Sequence, residues 1–298
     1  MKQAATIVSA AAAGAAPAAA QTKAPPVAVR TGTRVTTPDA AVVETTAGKV
    51  RGFSRNGVQI FRGIPYGETT AGANRFMPAQ KAKPWVGVRS STSWGPVCPQ
   101  AVRAGWRNDE EQFLYQWDDG FPGEDMLRVN VWTPAVNDNR RRPVLVWIHG
   151  GGLVNGSGTA ALYDGSHLAR QGMVVVTLNY RLGRLGFFDH PALAAERPAD
   201  EPAGNYGVMD VIAALRWVKA NIAVFGGDPD NVTIFGESAG GAMVTRLMIS
   251  PPARDLFARA VVQSGLGREL QTPLDRRGAF DLPSARERGE VWAHGHNL

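Results

Sequence analysis

Residues 225–241, FGGDPDNVTIFGESAGG, constrain the fold of this chain more than any other stretch, because they join a strand to a helix through a turn too tight for most side chains. Val232-Thr233-Ile234-Phe235 is an apolar, β-branched run of the kind that forms a buried strand. Ala239, Gly240, Gly241 and Ala242 open a helix whose apolar positions Met243, Val244, Leu247 and Met248 follow at helical spacing and which stops before Pro251-Pro252. Ser238 stands between the two. Gly236 and Gly240, two positions to either side, fit a turn in which a Cβ would collide, with the serine held in strained backbone geometry and its hydroxyl exposed. Such a serine is a candidate nucleophile, and the helix start aims N–H groups at any oxyanion beside it. In a chain with 34 glycines the G-x-S-x-G pattern alone says little, so its surroundings carry the argument.

A second stretch supplies the complementary chemistry. Residues 144–148, VLVWI, predict a buried strand that ends in His149-Gly150-Gly151-Gly152. A glycine loop of this kind lets backbone amides reach a carbonyl oxygen, and with the N–H of Ala239 it would form an oxyanion hole. Read more simply, the loop is a flexible turn. It is not a dinucleotide fingerprint, since Asn155 occupies the last glycine position counted from Gly150, and no phosphate-binding G-x-x-x-x-G-K-[ST] occurs.

At these residues the chain resembles the type B carboxylesterases, the cholinesterase-like branch of the α/β-hydrolases. The matching stretches are FRGIPYG at 61–67, Arg75-Phe76 with Pro78, CPQ at 98–100, GEDMLRVNVWTP at 123–134, WIHGGG at 147–152, LNYRLGRLGFF at 178–188, GNYGVMD at 204–210, ALRWVKANIAVFGGDPDNVTIFGESAGG at 214–241 and VVQSG at 261–265. Their order and spacing run over nearly the whole length after the leader. The resemblance implies a serine ester hydrolase with Ser238 as nucleophile, Gly151, Gly152 and Ala239 as oxyanion donors, a small carboxylic ester as substrate, and no cofactor or metal. Glu237, beside the nucleophile, is expected to line the gorge rather than serve as the triad acid, because adjacent residues point different ways. Relatives often pair the cysteine of the CPQ segment with one where this chain has Met126; Cys98 is the single cysteine, so no internal disulfide forms and a small buried residue is expected there.

In this fold the acid and then the histidine follow the serine. Of five histidines, His149 belongs to the glycine loop, while His167 and His190 precede the serine in loops and read as structural. Only His294 and His296 come after Ser238, and each further crossover to a parallel strand takes a dozen or more residues. With one strand expected after the serine, at residues 260–263, the tail histidines read as the end of a helix in mid-fold. The acid and histidine are then expected in a C-terminal half that this sequence does not contain, making it a fragment. Two function classes stay open: a carboxylic-ester hydrolase acting through an acyl-serine, or an inactive cholinesterase-like binding or adhesion protein. The intact glycine loop and strained serine favour the first.

The expected architecture is a mostly parallel sheet covered by helices on both faces, with antiparallel hairpins over residues 42–62 near the sheet edge. Further strands are expected at 128–133 and 173–180, a helix at 208–223, a surface loop at 192–203, and a loosely helical tail after Gly267 at most. The composition, 44% hydrophobic and 19% charged, suits one large domain over residues 42–298. The net charge of +6 is scattered, and its one cluster, Arg140-Arg141-Arg142, sits in a polar turn before a core strand, so a nucleic-acid partner is not expected. Residues 1–20 have the small, apolar character of a secretory signal with an A-x-A cleavage site after Ala20, and residues 21–41 read as a linker; a disordered alanine-rich leader is the alternative. A secreted or periplasmic protein with no membrane span is expected.

Overall fold

The computed structural model describes residues 42–100, 120–196, 204–265, 273–278 and 281–296, so the signal and linker readings for residues 1–41 lie outside the described residues. In chain order the strands are β1 (Val42–Thr45), β2 (Gly48–Arg51), β3 (Phe53–Arg55), β4 (Val58–Pro65), β5 (Val88–Ser90), β6 (Arg128–Thr133), β7 (Arg142–Ile148), β8 (Val174–Leu178), β9 (Gly227–Glu237) and β10 (Arg259–Gln263). The helices are α1 (Ser166–Arg170), α2 (Gly183–Phe187), α3 (Pro191–Ala195), α4 (Tyr206–Asn221), α5 (Ala239–Ile249) and α6 (Ala285–Gly295).

Seven strands form the central sheet in the order β10-β9-β7-β8-β6-β4-β3. β10, β9, β7 and β8 are parallel neighbours, while β6, β4 and β3 continue the sheet antiparallel. The parallel character is therefore confined to the half that carries the serine. Every residue of β8 is buried, as its run of three valines requires of a strand covered on both sides. Val174 and Val176 belong to one core cluster, and Val175 to a second with Trp132, Ile60 and Ala169 of α1. Successive residues thus feed opposite faces, and both faces are covered. Each fully buried β7 residue, Val144, Val146 and Ile148, contributes about 1.5–3 kcal/mol by leaving water.

The N-terminal hairpins divide. Asn56 (φ 51°) and Gly57 (φ 75°) make the tight turn of the β3–β4 hairpin, whose outer strand is the sheet edge. β1 and β2 instead pair antiparallel with each other in a separate three-stranded sheet, where β5 joins β2 in parallel. β5, all exposed, carries no apolar alternation that would have announced it.

Two further expectations are corrected. The stretch 192–203 is not wholly loop, because α3 covers its beginning, with Pro191 at the first turn and the His190 ring accepting the Ala192 N–H (3.2 Å). The tail after Gly267 holds a formed helix, α6. Its start is a capping box: Ser284 Oγ accepts the Glu287 N–H (3.1 Å) and the Glu287 carboxylate accepts the Ser284 N–H (2.6 Å). That S-x-x-E signal is legible in the sequence, but the Arg- and Glu-rich turns behind it show only a thin apolar stripe.

The segment that follows β8 is tied to α4 by an ion pair that is 1% exposed on the Arg181 side and fully buried on the Asp210 side. Asp210 accepts from Arg181 Nε (2.8 Å), Nη2 (2.7 Å) and the backbone N–H (3.0 Å). Burial raises the Asp210 pKa, and the three donors work against that rise. Asp210→Ala leaves the guanidinium buried alone and is expected to cost about 3–5 kcal/mol in urea unfolding. The paired change Arg181→Met with Asp210→Leu should cost much less, and equal losses would show that the charge pairing is not what matters.

Candidate active site

The sheet brings the two glycine-rich stretches together because β7 and β9 are adjacent and parallel, with Ile148 opposite Gly236. Both chains therefore leave the sheet at the same end. Ser238 has φ 55° and ψ −122°, a conformation that costs of order 1–3 kcal/mol and is held from three sides. Its N–H donates to the Gln263 carbonyl of β10 (2.8 Å), its carbonyl accepts the Ala242 N–H (2.9 Å), and α5 begins at the next residue. The glycines around it are forced by proximity. A Cβ at Gly236 would lie 2.6 Å from Gly240 backbone atoms, and one at Gly240 would strike the carbonyl oxygen of Ile148. Glu237 is exposed, with its carboxylate beside Gly150, and makes no hydrogen bond to Ser238.

The glycine loop folds back on itself. Gly151, at φ 108°, turns the chain so that its carbonyl accepts from both Val154 (3.1 Å) and Asn155 (3.0 Å). Gly152 and Leu153 follow in left-handed geometry. Among the described residues, the N–H groups of Gly151, Gly152 and Ala239 donate to no protein acceptor. Gly150 packs against the serine: a Cβ there would lie 3.2 Å from Ser238 Cβ.

Two side chains hold this loop. His149 is fully buried, stacks on Tyr180 with ring centroids 4.5 Å apart, and has Nδ1 2.8 Å from the Gly150 carbonyl. That carbonyl can only accept, so Nδ1 carries the proton. Burial lowers the His149 pKa to about 4, which keeps the ring neutral. Tyr180 in turn donates its hydroxyl to the His149 carbonyl (2.9 Å). Sequence reasoning missed the second brace, Gln100. Its carboxamide accepts from the Gly156 N–H (2.7 Å) and donates to the Gly156 carbonyl (3.0 Å), clamping the loop exit. The CPQ match was visible, but only the fold places Gln100 opposite Gly156.

Cys98 is buried, accepts the Leu182 N–H (3.2 Å), and its pKa is raised to about 12 by burial, so it is the inert packed residue expected. Met126 is buried as well. No histidine among the described residues bonds Ser238. His167 is exposed on α1, and His190 caps α3. His294 is exposed, and His296 bonds and stacks on Trp292 of its own helix. Among the described residues no group of three or more His, Cys, Asp or Glu side chains could hold a metal, and no helix is long and apolar enough to cross a membrane.

The buried His149 predicts a pH window. The unfolded ring takes up a proton below about pH 6.5 and the folded ring only near pH 4, so stability is fully present above pH 6.5 and falls as pH drops toward 4. At pH 5 the loss from this group is about 2 kcal/mol. His149→Phe should flatten that slope between pH 7 and 5 in urea titrations, and an unchanged slope would contradict the assignment.

A sequence model of the carboxylesterase family matches residues 39–274. The para-nitrobenzyl esterase of Bacillus subtilis (strain 168) is 44% identical over 230 residues, covering 77% of this chain and 44% of that protein. Carboxylesterase 1D of Mus musculus is 45% identical over 241 residues, covering 76% of this chain and 40% of its own length. A solved carboxylesterase of Geobacillus stearothermophilus, at pH 6.8, superposes with a TM-score of 0.64 at 46% identity, over 74% of this chain and 43% of that one. The chain thus spans less than half the length of these relatives. With the family model spanning most of its length and the solved relative sharing its architecture, the chain belongs to the carboxylesterase family and has the α/β-hydrolase fold.

Proposed function

We propose that this chain carries the nucleophile and oxyanion hole of a serine carboxylic-ester hydrolase. The observation that supports this most directly is Ser238 in its strained turn beside three N–H groups, of Gly151, Gly152 and Ala239, that donate to no described protein acceptor. A merely structural serine gains nothing from such strain, whereas a nucleophile gains exposure. In the reaction, Ser238 Oγ bonds to the ester carbonyl carbon and its proton passes to a base. The carbonyl oxygen, now negative, is held by the three N–H groups. Collapse breaks the ester C–O bond, the alcohol leaves with the proton, and water then releases the acid from the acyl-serine. The base and its orienting acid come from outside the described residues. The small-molecule ester is the only partner this chemistry needs.

Labelling with a fluorophosphonate probe followed by peptide mapping should find Ser238 alone, and Ser238→Ala should remove the label. Label on Ser157 or Ser264 would overturn the assignment. Residues 1–298 by themselves are expected to hydrolyse a nitrophenyl butyrate about 10⁴- to 10⁶-fold more slowly than the same chain joined to the remaining length of a relative, since a serine without its base is a poor nucleophile. We also infer export, with cleavage after Ala20; N-terminal sequencing of the exported protein should begin at Gln21, and recovery of Met1 would contradict it.

A further inference from the structure

A cavity of about 1080 Å³ opens beside the glycine loop. It shares Gly152 and Leu153 with that loop and reaches Met243, one turn into the helix that starts after Ser238, although Ser238 is not itself in its wall. Phe187, Val208 and Trp292 give it an apolar body. An ester whose carbonyl oxygen faces the Gly151 and Gly152 N–H groups has this space next to it.

The charges around the cavity do not balance. Asp189 is the one acidic residue among the described residues that line it, and it is fully buried and already paired with Arg286, whose Nε lies 3.5 Å from Oδ2. Arg246, also in the wall, is engaged elsewhere. Two cations remain. Arg184 and Arg288 line the cavity, are exposed, and form no ion pair with a described residue.

Both are placed by the fold. The Arg184 guanidinium lies over the Trp292 ring, with Cζ 4.6 Å from its centroid, and Phe188 meets the same ring edge-on at 5.4 Å. Its neighbour Gly183 donates its N–H to the Leu153 carbonyl (2.7 Å), which ties α2 to the glycine loop. Along that path only Gly183 and Leu153 stand between Arg184 and Gly152. Arg288 is four residues before Trp292 on α6, hence on the same face of that helix as the ring.

Two unpaired cations beside an apolar space raise the local concentration of anions and repel an ammonium. A guanidinium presents a planar fork of donors that matches a carboxylate, and an exposed one loses little hydration in taking it. The apolar body between them and the loop suits an aliphatic spacer. Resting on the ester-hydrolase reading, we propose that Arg184, with Arg288 beside it, is the anion anchor of the substrate cavity, and that the preferred esters carry a free carboxylate, as in a half-ester of an aliphatic dicarboxylic acid.

Binding separates this from catalysis. In the full chain with Ser238→Ala, which prevents turnover, monobutyl adipate and its neutral isostere butyl adipamate are titrated by ligand-observed NMR. At low ionic strength monobutyl adipate should bind about tenfold more tightly, the increment of one charge-assisted pair. High salt should narrow the gap, since both arginines are exposed. Arg184→Gln should bring the two ligands within about twofold, with Arg288→Gln in between. Arg184→Lys separates lost charge from lost packing on Trp292, and should keep a preference of about threefold. Equal affinities in the parent, a preference that survives Arg184→Gln, a loss in Arg184→Lys as complete as in Arg184→Gln, or tighter binding of the cationic ester butyrylcholine would each overturn the proposal. Failure of Ser238 to take the fluorophosphonate would instead strike the hydrolase reading and leave the binding preference untouched.

Discussion

Everything at the serine end of the sheet depends on how closely the first turn of α5 approaches the end of β7. The carbonyl of Ile148 lies where a Cβ on Gly240 would have to go, and Gly240 in turn blocks any side chain at Gly236. With both positions reduced to glycine, β9 can run straight into α5 with one residue of turn, and that residue must absorb the whole change of direction. Ser238 does so at φ 55°. Parallel pairing of β7 with β9 and of β9 with β10 holds the strain in place, since the Ser238 N–H is fixed by Gln263.

The same crowding accounts for the glycine loop. Its chain passes close to the serine without turning the amides of Gly151 and Gly152 toward any described protein carbonyl. Gly151 meets this by folding the loop onto its own carbonyl. His149 beneath it and Gln100 at its exit then limit the loop's freedom. The position beneath the loop favours a neutral histidine, because a charged ring there would add a buried positive charge with nothing to pair it. The depressed pKa of His149 follows from its burial beneath the loop, and it gives the protein an acid-sensitive point close to Ser238.

Asp210 and Asp189 are two buried carboxylates with very different partners. Asp210 meets three donors from Arg181 and fastens α4 to the end of β8. Asp189 accepts no hydrogen bond among the described residues and is paired only with Arg286, whose Nε lies 3.5 Å from Oδ2. The contrast is one of hydrogen bonding, not burial.

The sequence by itself determined the elements whose physical requirement is local. A β-branched run followed by G-x-S-x-G and small residues can hardly do anything but turn from strand to helix, and residues 128–133, 144–148 and 208–223 carried their periodicity openly. Ser238, Gly236, Gly240 and the 149–152 loop were legible for the same reason. What only the tertiary structure decided were the relations that depend on strand order. β1 and β2 leave the main sheet because β5, a short exposed strand without apolar pattern, offers them another edge. The helix at 285–295 forms because a cap starts it and because Trp292, Ala293 and Gly289 have a surface to pack on, which its polar sequence did not announce. Gln100 reaches Gly156 across 56 residues, and Asp189 lines a cavity whose far wall comes from α6. Side chains of those two types are ordinary in sequence, and their roles exist only once distant backbones have been brought within hydrogen-bonding distance of them, or have failed to supply a donor.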